Sequence, residues 1–278
     1  MAIPAKRRQR AAIRLFWWKP EVGINLGDEV NEKIVEYASG RAVIRKGLWR
    51  SDLFAIGSIL DQGRLSNVFE SRTAPLHVWG SGTMARSTIG WSEHLRLSAV
   101  RGPLTRGLVA GPSSELTLGD PGLLAPRVWS TKPDRKRFSW GLVPHWSQIE
   151  QPWVKRLLAE TPEAVLIDVR DPDIATTFAT LASCEAIASS SLHGLIFADA
   201  WRIPNIWIDA GRLHRGGAWK FRDYFDGVGR PWSGPIAVDQ VASLATIDIA
   251  ALETAYFATL DSLADALEAA FPTELKAA

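Results

Sequence analysis

Short apolar runs alternate along the chain with segments of helical period, and glycine- or serine-bearing turns separate them. Ile13–Trp18 reads as a first strand, and Gly23-Ile24-Asn25-Leu26-Gly27-Asp28 opens a helix that runs to about Tyr37. Ala42–Ile44, Leu53–Ile56, Leu76–Trp79, Leu97–Val100 and Leu116–Leu118 are further short strands. Two of these end in Gly-Ser turns, Gly57-Ser58 and Gly80-Ser81, and Pro103 suits the first position of a helix. After the polar stretch 129–137, which reads as a linker, the pattern restarts. Phe138–Val143, Ala164–Val169, the apolar run around Ala186–Ala188, Asn205–Asp209 and Pro235–Val238 read as strands. Pro152–Glu160, Asp173–Ser183, a segment from Leu192 to Trp201 and one opening at Ala218 read as helices. Residues 248–270 carry Leu252, Tyr256, Leu260, Leu263 and Leu267 near a 3.6 period and predict one long amphipathic helix.

Strands that alternate with helices predict an α/β protein with parallel sheets. The restart near residue 138 predicts two Rossmann-like domains facing a cleft, over residues 1–130 and 131–278. The most informative stretch is Ser189-Ser190-Ser191-Leu192-His193-Gly194, where an apolar strand meets a helix. Any of the serines can cap that helix, and His193 falls in its first turn. Free N–H groups and the positive end of the helix dipole favour an anion there, and such a turn lies at the strand ends where open α/β sheets bind ligands. Leu195, Ile196 and Trp201 give the helix an apolar side.

Composition changes this picture only at the margins. The 278 residues are 46% hydrophobic and 22% charged with a formal net charge of +2, which suits a soluble globular protein and gives no field for nucleic acid. One cysteine, Cys184, excludes a disulfide framework, and the five histidines show no zinc spacing, so neither a metal nor a cofactor is expected. No apolar run is long enough to span a membrane, and Lys6-Arg7-Arg8-Gln9-Arg10 lacks a signal-type apolar core after it. A cytoplasmic protein is expected, with residues 1–12 a solvated basic arm or, alternatively, a contact for anionic lipid. Thirteen tryptophans are a rich supply. Most should fill the core, and two or three at most should line a site, where aromatic faces stack on sugar rings.

The strand-end loops supply the candidate chemistry: Asn25, Asp28, Ser81, Arg101, Arg106, Asp120, His145, Arg170, His193, and Lys220 with Arg222. The cations could grip a phosphate or carboxylate, and a histidine serves as an acid near neutral pH. Taken alone, His193 reads equally as a helix-start histidine bonded to the backbone, and Lys220 and Arg222 as a solvated helix face. Gly27 stands in neither a dinucleotide fingerprint nor a Walker loop.

Asn25-Leu26-Gly27-Asp28, Val100-Arg101-Gly102-Pro103-Leu104-Thr105-Arg106, Gly119-Asp120-Pro121, Ser191-Leu192-His193-Gly194-Leu195-Ile196 and Lys220-Phe221-Arg222-Asp223-Tyr224-Phe225 occur in that order over residues 13–240. As a set they resemble the polysaccharide pyruvyltransferases, closest to the branch acting in succinoglycan-type exopolysaccharide. The resemblance implies a glycosyltransferase-B-like fold, phosphoenolpyruvate as donor, a sugar as acceptor and a pyruvate ketal as product. It implies His193 as general acid; the chemistry also needs a base for the hydroxyls, for which the residues offer Asp28, taken as catalytic, or Asp120. Donor binding falls to Ser190, Ser191, Gly194, Arg101, Arg106, Lys220 and Arg222, and acceptor binding to Asn25, Gly27, Ser81 and Asp120. Many members carry arginine two residues before the histidine, where this chain has Ser191. Another cation, or Ser191 with the helix start, must then hold the phosphate. The acceptor is open between a free and a lipid-linked oligosaccharide, the second bringing the chain to the inner face of the membrane. A sugar-nucleotide-dependent glycosyltransferase and a non-catalytic carbohydrate-binding protein of the assembly complex are the alternatives.

Overall fold

In a computed structural model of the chain, which describes residues 11–86, 94–109, 115–133, 135–211 and 216–277, two all-parallel sheets carry the architecture. The basic arm and most of the loop after Asp209 lie outside the described residues. The first sheet contains β1 (Ile13–Phe16), β2 (Val43–Arg45), β3 (Leu53–Phe54), β4 (Leu76–Trp79), β5 (Leu95–Val100) and β6 (Thr117–Leu118). The second contains β7 (Phe138–Val143), β8 (Ala164–Leu166), β9 (Cys184–Ser189), β10 (Asn205–Asp209) and β11 (Ile236–Ala237). The helices are α1 (Leu26–Glu29), α2 (Asn31–Ser39), α3 (Leu60–Leu65), α4 (Pro103–Val109), α5 (Ala125–Val128), α6 (Pro152–Ala159), α7 (Ile174–Ala182), α8 (Leu192–Ala200), α9 (Trp219–Val228) and α10 (Phe257–Ala269).

The two sheets repeat one wiring. The first runs β2-β1-β3-β4-β5-β6 and the second, read from its other edge, β8-β7-β9-β10-β11. In each, the chain steps to one side after its opening strand and then crosses back to continue on the other. The reversal falls between β1 and β3 in the first sheet and between β7 and β9 in the second. A crevice forms outside the C-terminal strand ends at such a reversal, because the flanking connections leave in opposite directions. The expected α/β class with parallel sheets is therefore present.

Burial explains why the strands read as apolar runs. Ile13, Leu15, Leu53, Val78, Leu142, Ile187 and Ala188 are fully buried, as strands covered on both faces must be. One apolar cluster runs between the sheets, from Ile13 and Trp79 through Leu195 and Phe197 to Leu267 and Phe271. Helix α8 lies in the middle of it, with every residue but His193 buried. Its sequence suggested a one-sided helix, yet LHGLIFADA carries a single charge and is apolar nearly all round, which fits a central helix.

Local chemistry moved two boundaries. The first helix breaks at Val30, after which Asn31 turns inward. Its Nδ2 donates to the carbonyls of Asp28 and Ile56, and its Oδ1 accepts from Ile56 N, so the side chain bolts α1 to the end of β3. The expected long C-terminal helix starts only at Phe257. Asp248 caps a short 3-10 turn at Ile249–Ala251, after which Leu252 is extended. Helix α10 then lies against the first sheet, where Leu267 O accepts a bond from buried Trp79 Nε1 at 2.8 Å and Tyr37 OH donates to Glu268. No described helix is long and apolar enough to cross a membrane.

Candidate active site

A cavity of about 350 Å³ opens where the two reversals face one another, a size in the range of small-molecule sites. Trp18, Gly57 and Ser58 come from beyond the ends of β1 and β3. His145, Trp146 and Ser191 come from beyond the ends of β7 and β9. The start of α1 adds Asn25 and Asp28, the start of α8 adds Leu192 and His193, and α9 adds Lys220. Backbone bonds register the two halves beside it: Leu26 N donates to Val169 O at 2.8 Å.

Ser191 is the N-cap of α8, in extended conformation, but its hydroxyl makes no capping bond. The preceding serines do the structural work. Ser189 Oγ accepts from Ser191 N and donates to Val143 O, and Ser190 Oγ accepts from His145 N while donating to Gln148 Oε1 at 2.7 Å. Thus Ser190 ties β9 to the β7 loop, and Ser191 lines the cavity with Leu192 and His193 of the first turn of α8.

His193 sits with Nε2 3.9 Å from Asp120 Oδ2, and both atoms are buried without a hydrogen bond. Its other edge lies on Gly27, where a methyl group would meet Nδ1 at 2.0 Å, so only glycine lets α1 approach the ring. Burial, with the charges of Lys220, Arg101 and His145, drives its pKa down to about 3. The ring is therefore neutral at neutral pH.

Two carboxyls move the other way. Burial raises Asp28 to about 7 despite a 2.6 Å bond from Asn25 Nδ2 and the attraction of Lys220. Burial raises Asp120 to about 6 against the bond its Oδ1 accepts from Gly122 N at 2.8 Å. Lys220 is pushed down to about 7 by burial and by Arg101, with Asp28 partly restoring it. Groups of both signs are thus brought toward neutrality in one cavity, the usual mark of acid–base chemistry.

The cations read from the sequence divide sharply. Lys220 lines the cavity, whereas Arg222 is 59% exposed and pairs with Asp226 on its own helix. Residues two apart on a helix point to nearly opposite sides, so only one of them could reach the site. Arg101 touches the cavity, yet Asp223, Ser58 Oγ and Thr83 O take its N–H groups. Asp223 also accepts from Thr105 N and Oγ1, which fastens α9 to the start of α4. Arg101 is a fixed field beside the site, not a mobile grip. Arg106 on α4 does not line the cavity, and Arg170 binds Asp168 and Glu150 elsewhere.

Among the remaining expected residues, Ser81 is sealed and donates to Gly57 O, so it shapes a lining turn from behind. Gly194 is a packing glycine: a methyl group there would strike Ser189 Oγ at 2.3 Å. Sequence reasoning passed over Trp18, Trp146, Met84, Ile59 and Gln62 as lining residues. The two indoles, one from each half, lie 5.4 Å apart at 42°. Among the described residues no group of three or more histidines, cysteines and acids could hold a metal.

The chain is 26% identical over 229 residues to the succinoglycan biosynthesis protein ExoV of Rhizobium meliloti (strain 1021), an overlap of 80% of this chain and 68% of that protein. It is 35% identical over 99 residues to uncharacterized protein L143 of Acanthamoeba polyphaga mimivirus, covering 34% of this chain and 33% of that protein. It spans about a third of one curated relative and about two thirds of the other. The family described as polysaccharide pyruvyl transferase matches residues 24–211, from the start of the α1 turn to the loop after β10. That match contains Asp28, Asp120 and His193 together with both strand reversals beyond β1, and on it the chain belongs to the polysaccharide pyruvyl transferase family.

Proposed function

We propose that the chain transfers the pyruvyl group of phosphoenolpyruvate to two hydroxyls of a sugar in exopolysaccharide synthesis. The observation that carries this is the placement of His193, with Asp28 and Lys220, at the start of α8 in the cavity between the two sheet reversals. Phosphoenolpyruvate is small and strongly anionic. A helix start with free amides, Ser191 and a buried lysine forms an anion site without the arginine that many family members carry. Lys220 takes the place of that arginine, with the charge of Arg101 behind it.

The chemistry needs one acid and one base. Protonation of the donor's methylene carbon makes an oxocarbenium-like centre at C2. A sugar hydroxyl attacks C2 and gives its proton to Asp28; the C2–O bond to phosphate breaks as Asp28 hands that proton to the leaving oxygen, and the second hydroxyl closes the ketal, its proton passing through Asp28 to restore the acid form of His193. Phosphate leaves with the charge it carried, and the product methyl keeps the added proton. His193 is the acid. Burial first, and then the charges of Lys220, Arg101 and His145, hold its pKa near 3; an anion bound among those charges offsets their share and raises it toward that of a working acid. Asp28, poised near 7, is half ionised at neutral pH, where a base works best.

The acceptor belongs on the side of Asn25, Trp18 and Trp146, where the tilted indoles offer faces to a sugar ring. On this reading residues 1–130 and 131–278 are the acceptor and donor domains of a glycosyltransferase-B-like pair. The protein works in the cytoplasm, at the membrane face where the acceptor is lipid-linked. The test is phosphate release from phosphoenolpyruvate by purified protein with hexoside acceptors. Acceptor-dependent release supports the reading. Absence of release across a panel, or turnover of a nucleotide sugar instead, overturns it.

A further inference from the structure

Asp120 was expected on the acceptor side or as a base, but its surroundings fit neither role. The residue opens the 3-10 turn Pro121–Leu124, which lies flush on α8. A methyl group at Gly122 would meet Ile196 Cγ2 at 2.9 Å, so the turn cannot retreat. Asp120 is wholly buried and does not line the cavity. Its Oδ1 is anchored by Gly122 N, and its Oδ2 is aimed at His193 Nε2, 3.9 Å away, with no hydrogen-bond partner for Oδ2 or Nε2 among the described residues. Two buried polar atoms that face each other without partners cost stability, and such a pair calls for an explanation. A shift of about 1 Å closes the gap to hydrogen-bond distance.

Resting on the transfer reading above, we infer that Asp120 is the positioning residue of the acid: it holds the proton of His193 on Nε2 and leaves Nδ1 as the nitrogen that serves the donor. The ring is restrained on both sides, by Asp120 at Nε2 and by the bare Cα of Gly27 near Nδ1, with Phe197 stacked at 5.9 Å. His193 lines the cavity and its Nε2 is sealed, so the ring meets the cavity along its Nδ1 edge, where the bare Cα of Gly27 leaves room beside the nitrogen. The charged groups facing the ring are Lys220 on α9, Arg101 after β5, His145 after β7 and Asp120 after β6; Asp28 on α1 and Asp223 on α9 face Asp120. Asp120 is the acid with an unused oxygen on the ring. When the ring takes a second proton, that proton sits on Nδ1 and passes to the methylene carbon. The imidazole left behind is neutral, with its remaining proton still on Nε2 against Asp120. The arrangement is the His–Asp logic of hydrolases with the two nitrogens exchanged.

The experiment is 15N NMR of histidine-labelled protein, with His193→Gln used to assign the signal, beside kinetics of Asp120→Asn. Wild-type protein should show His193 as the neutral Nε2–H tautomer at pH 7. In Asp120→Asn the amide keeps an oxygen for Gly122 N and turns an NH2 toward Nε2. The ring should then switch to Nδ1–H, and kcat should fall by about 10³-fold, with the KM for phosphoenolpyruvate changed less than about threefold. A wild-type ring protonated on Nδ1 overturns the inference even where the variant fails to fold. So does a variant that keeps both tautomer and kcat. Wild-type protein inert toward phosphoenolpyruvate would instead sink the transfer reading, and the tautomer would still decide the pairing.

Discussion

Helix α8 has a buried carboxylate near each end, and the surroundings of the two are opposite. Asp199, in its last turn, accepts from Asn205 Nδ2 and Tyr256 OH on one oxygen and from Tyr224 OH on the other, with Arg230 3.9 Å away. Arg230 in turn bonds the side chain and carbonyl of Asn205 and lies over Phe225 at 4.3 Å. At the other end Asp120 and His193 face each other with an unpaired atom each, while Asp28 and Lys220 are held near neutrality. Burial is alike at both ends, so burial does not mark the site. A polar group whose partners are all present is fastened, and one whose partner is missing is available to a ligand.

The largest effects should separate the two ends outright. Asp199→Ala strands two tyrosine hydroxyls, an asparagine and an arginine in the core, and should cost about 3–5 kcal/mol of stability in urea unfolding. His193→Ala should leave that midpoint almost unmoved and lower kcat by about 10²–10⁴-fold. Comparable stability losses from both would erase the distinction.

Asp28→Asn sharpens it further, because it should gain stability while losing function. The folded pKa near 7 lies above the usual carboxyl value of 3.8, so the folded state binds more protons between them. Stability from this group is fully present below about pH 4 and is lost as pH rises through 7. At pH 8 the variant should therefore be about 2–4 kcal/mol more stable than wild type, with an advantage that vanishes toward pH 4. Its activity should drop by about 10²-fold. A variant that is less stable at pH 8 would show that the Asp28 charge is well compensated.

Lys220 has the reverse sign: its folded pKa near 7 is below the model-peptide value of 10.5, so it loses its charge as pH rises through 7 in the empty site. The KM for phosphoenolpyruvate should rise above that pH. Lys220→Met should raise it by about 10–100-fold and flatten the limb, as expected for a charged hydrogen bond worth about 1.5–3 kcal/mol. The smallest effect belongs to the indoles. Trp18→Ala should raise the acceptor KM by about 5–10-fold, from about 1 kcal/mol of stacking, and leave the donor KM alone. An equal rise in both constants would move the acceptor elsewhere.

Much of the fold was legible because parallel strands covered on both faces are short apolar runs, and Leu76–Trp79, Phe138–Val143 and Asn205–Asp209 stand where the pattern put them. The early break of the first helix was not, because Asn31 turns inward only when the carbonyl of Ile56 is there to receive it. For the site, His193, Asp28 and Lys220 came from strand-end position, which topology rewards whatever the family. Arg101 lines the cavity as expected, but its partner Asp223 lies 122 residues further on, and nothing local shows that its hydrogen bonds are spent. Helical spacing alone could have separated Lys220 from Arg222. Trp18 and Trp146 were hidden among thirteen tryptophans, and only the facing of the two strand reversals picks them out.

The most direct measurement is the transfer run in D2O, with the product examined by mass spectrometry. The account predicts an acceptor heavier by one pyruvyl ketal whose methyl carries at least one solvent deuterium, formed about 10²–10⁴-fold more slowly with His193→Ala. Phosphate released with free pyruvate and no modified acceptor, or a ketal whose methyl lacks deuterium, would contradict it.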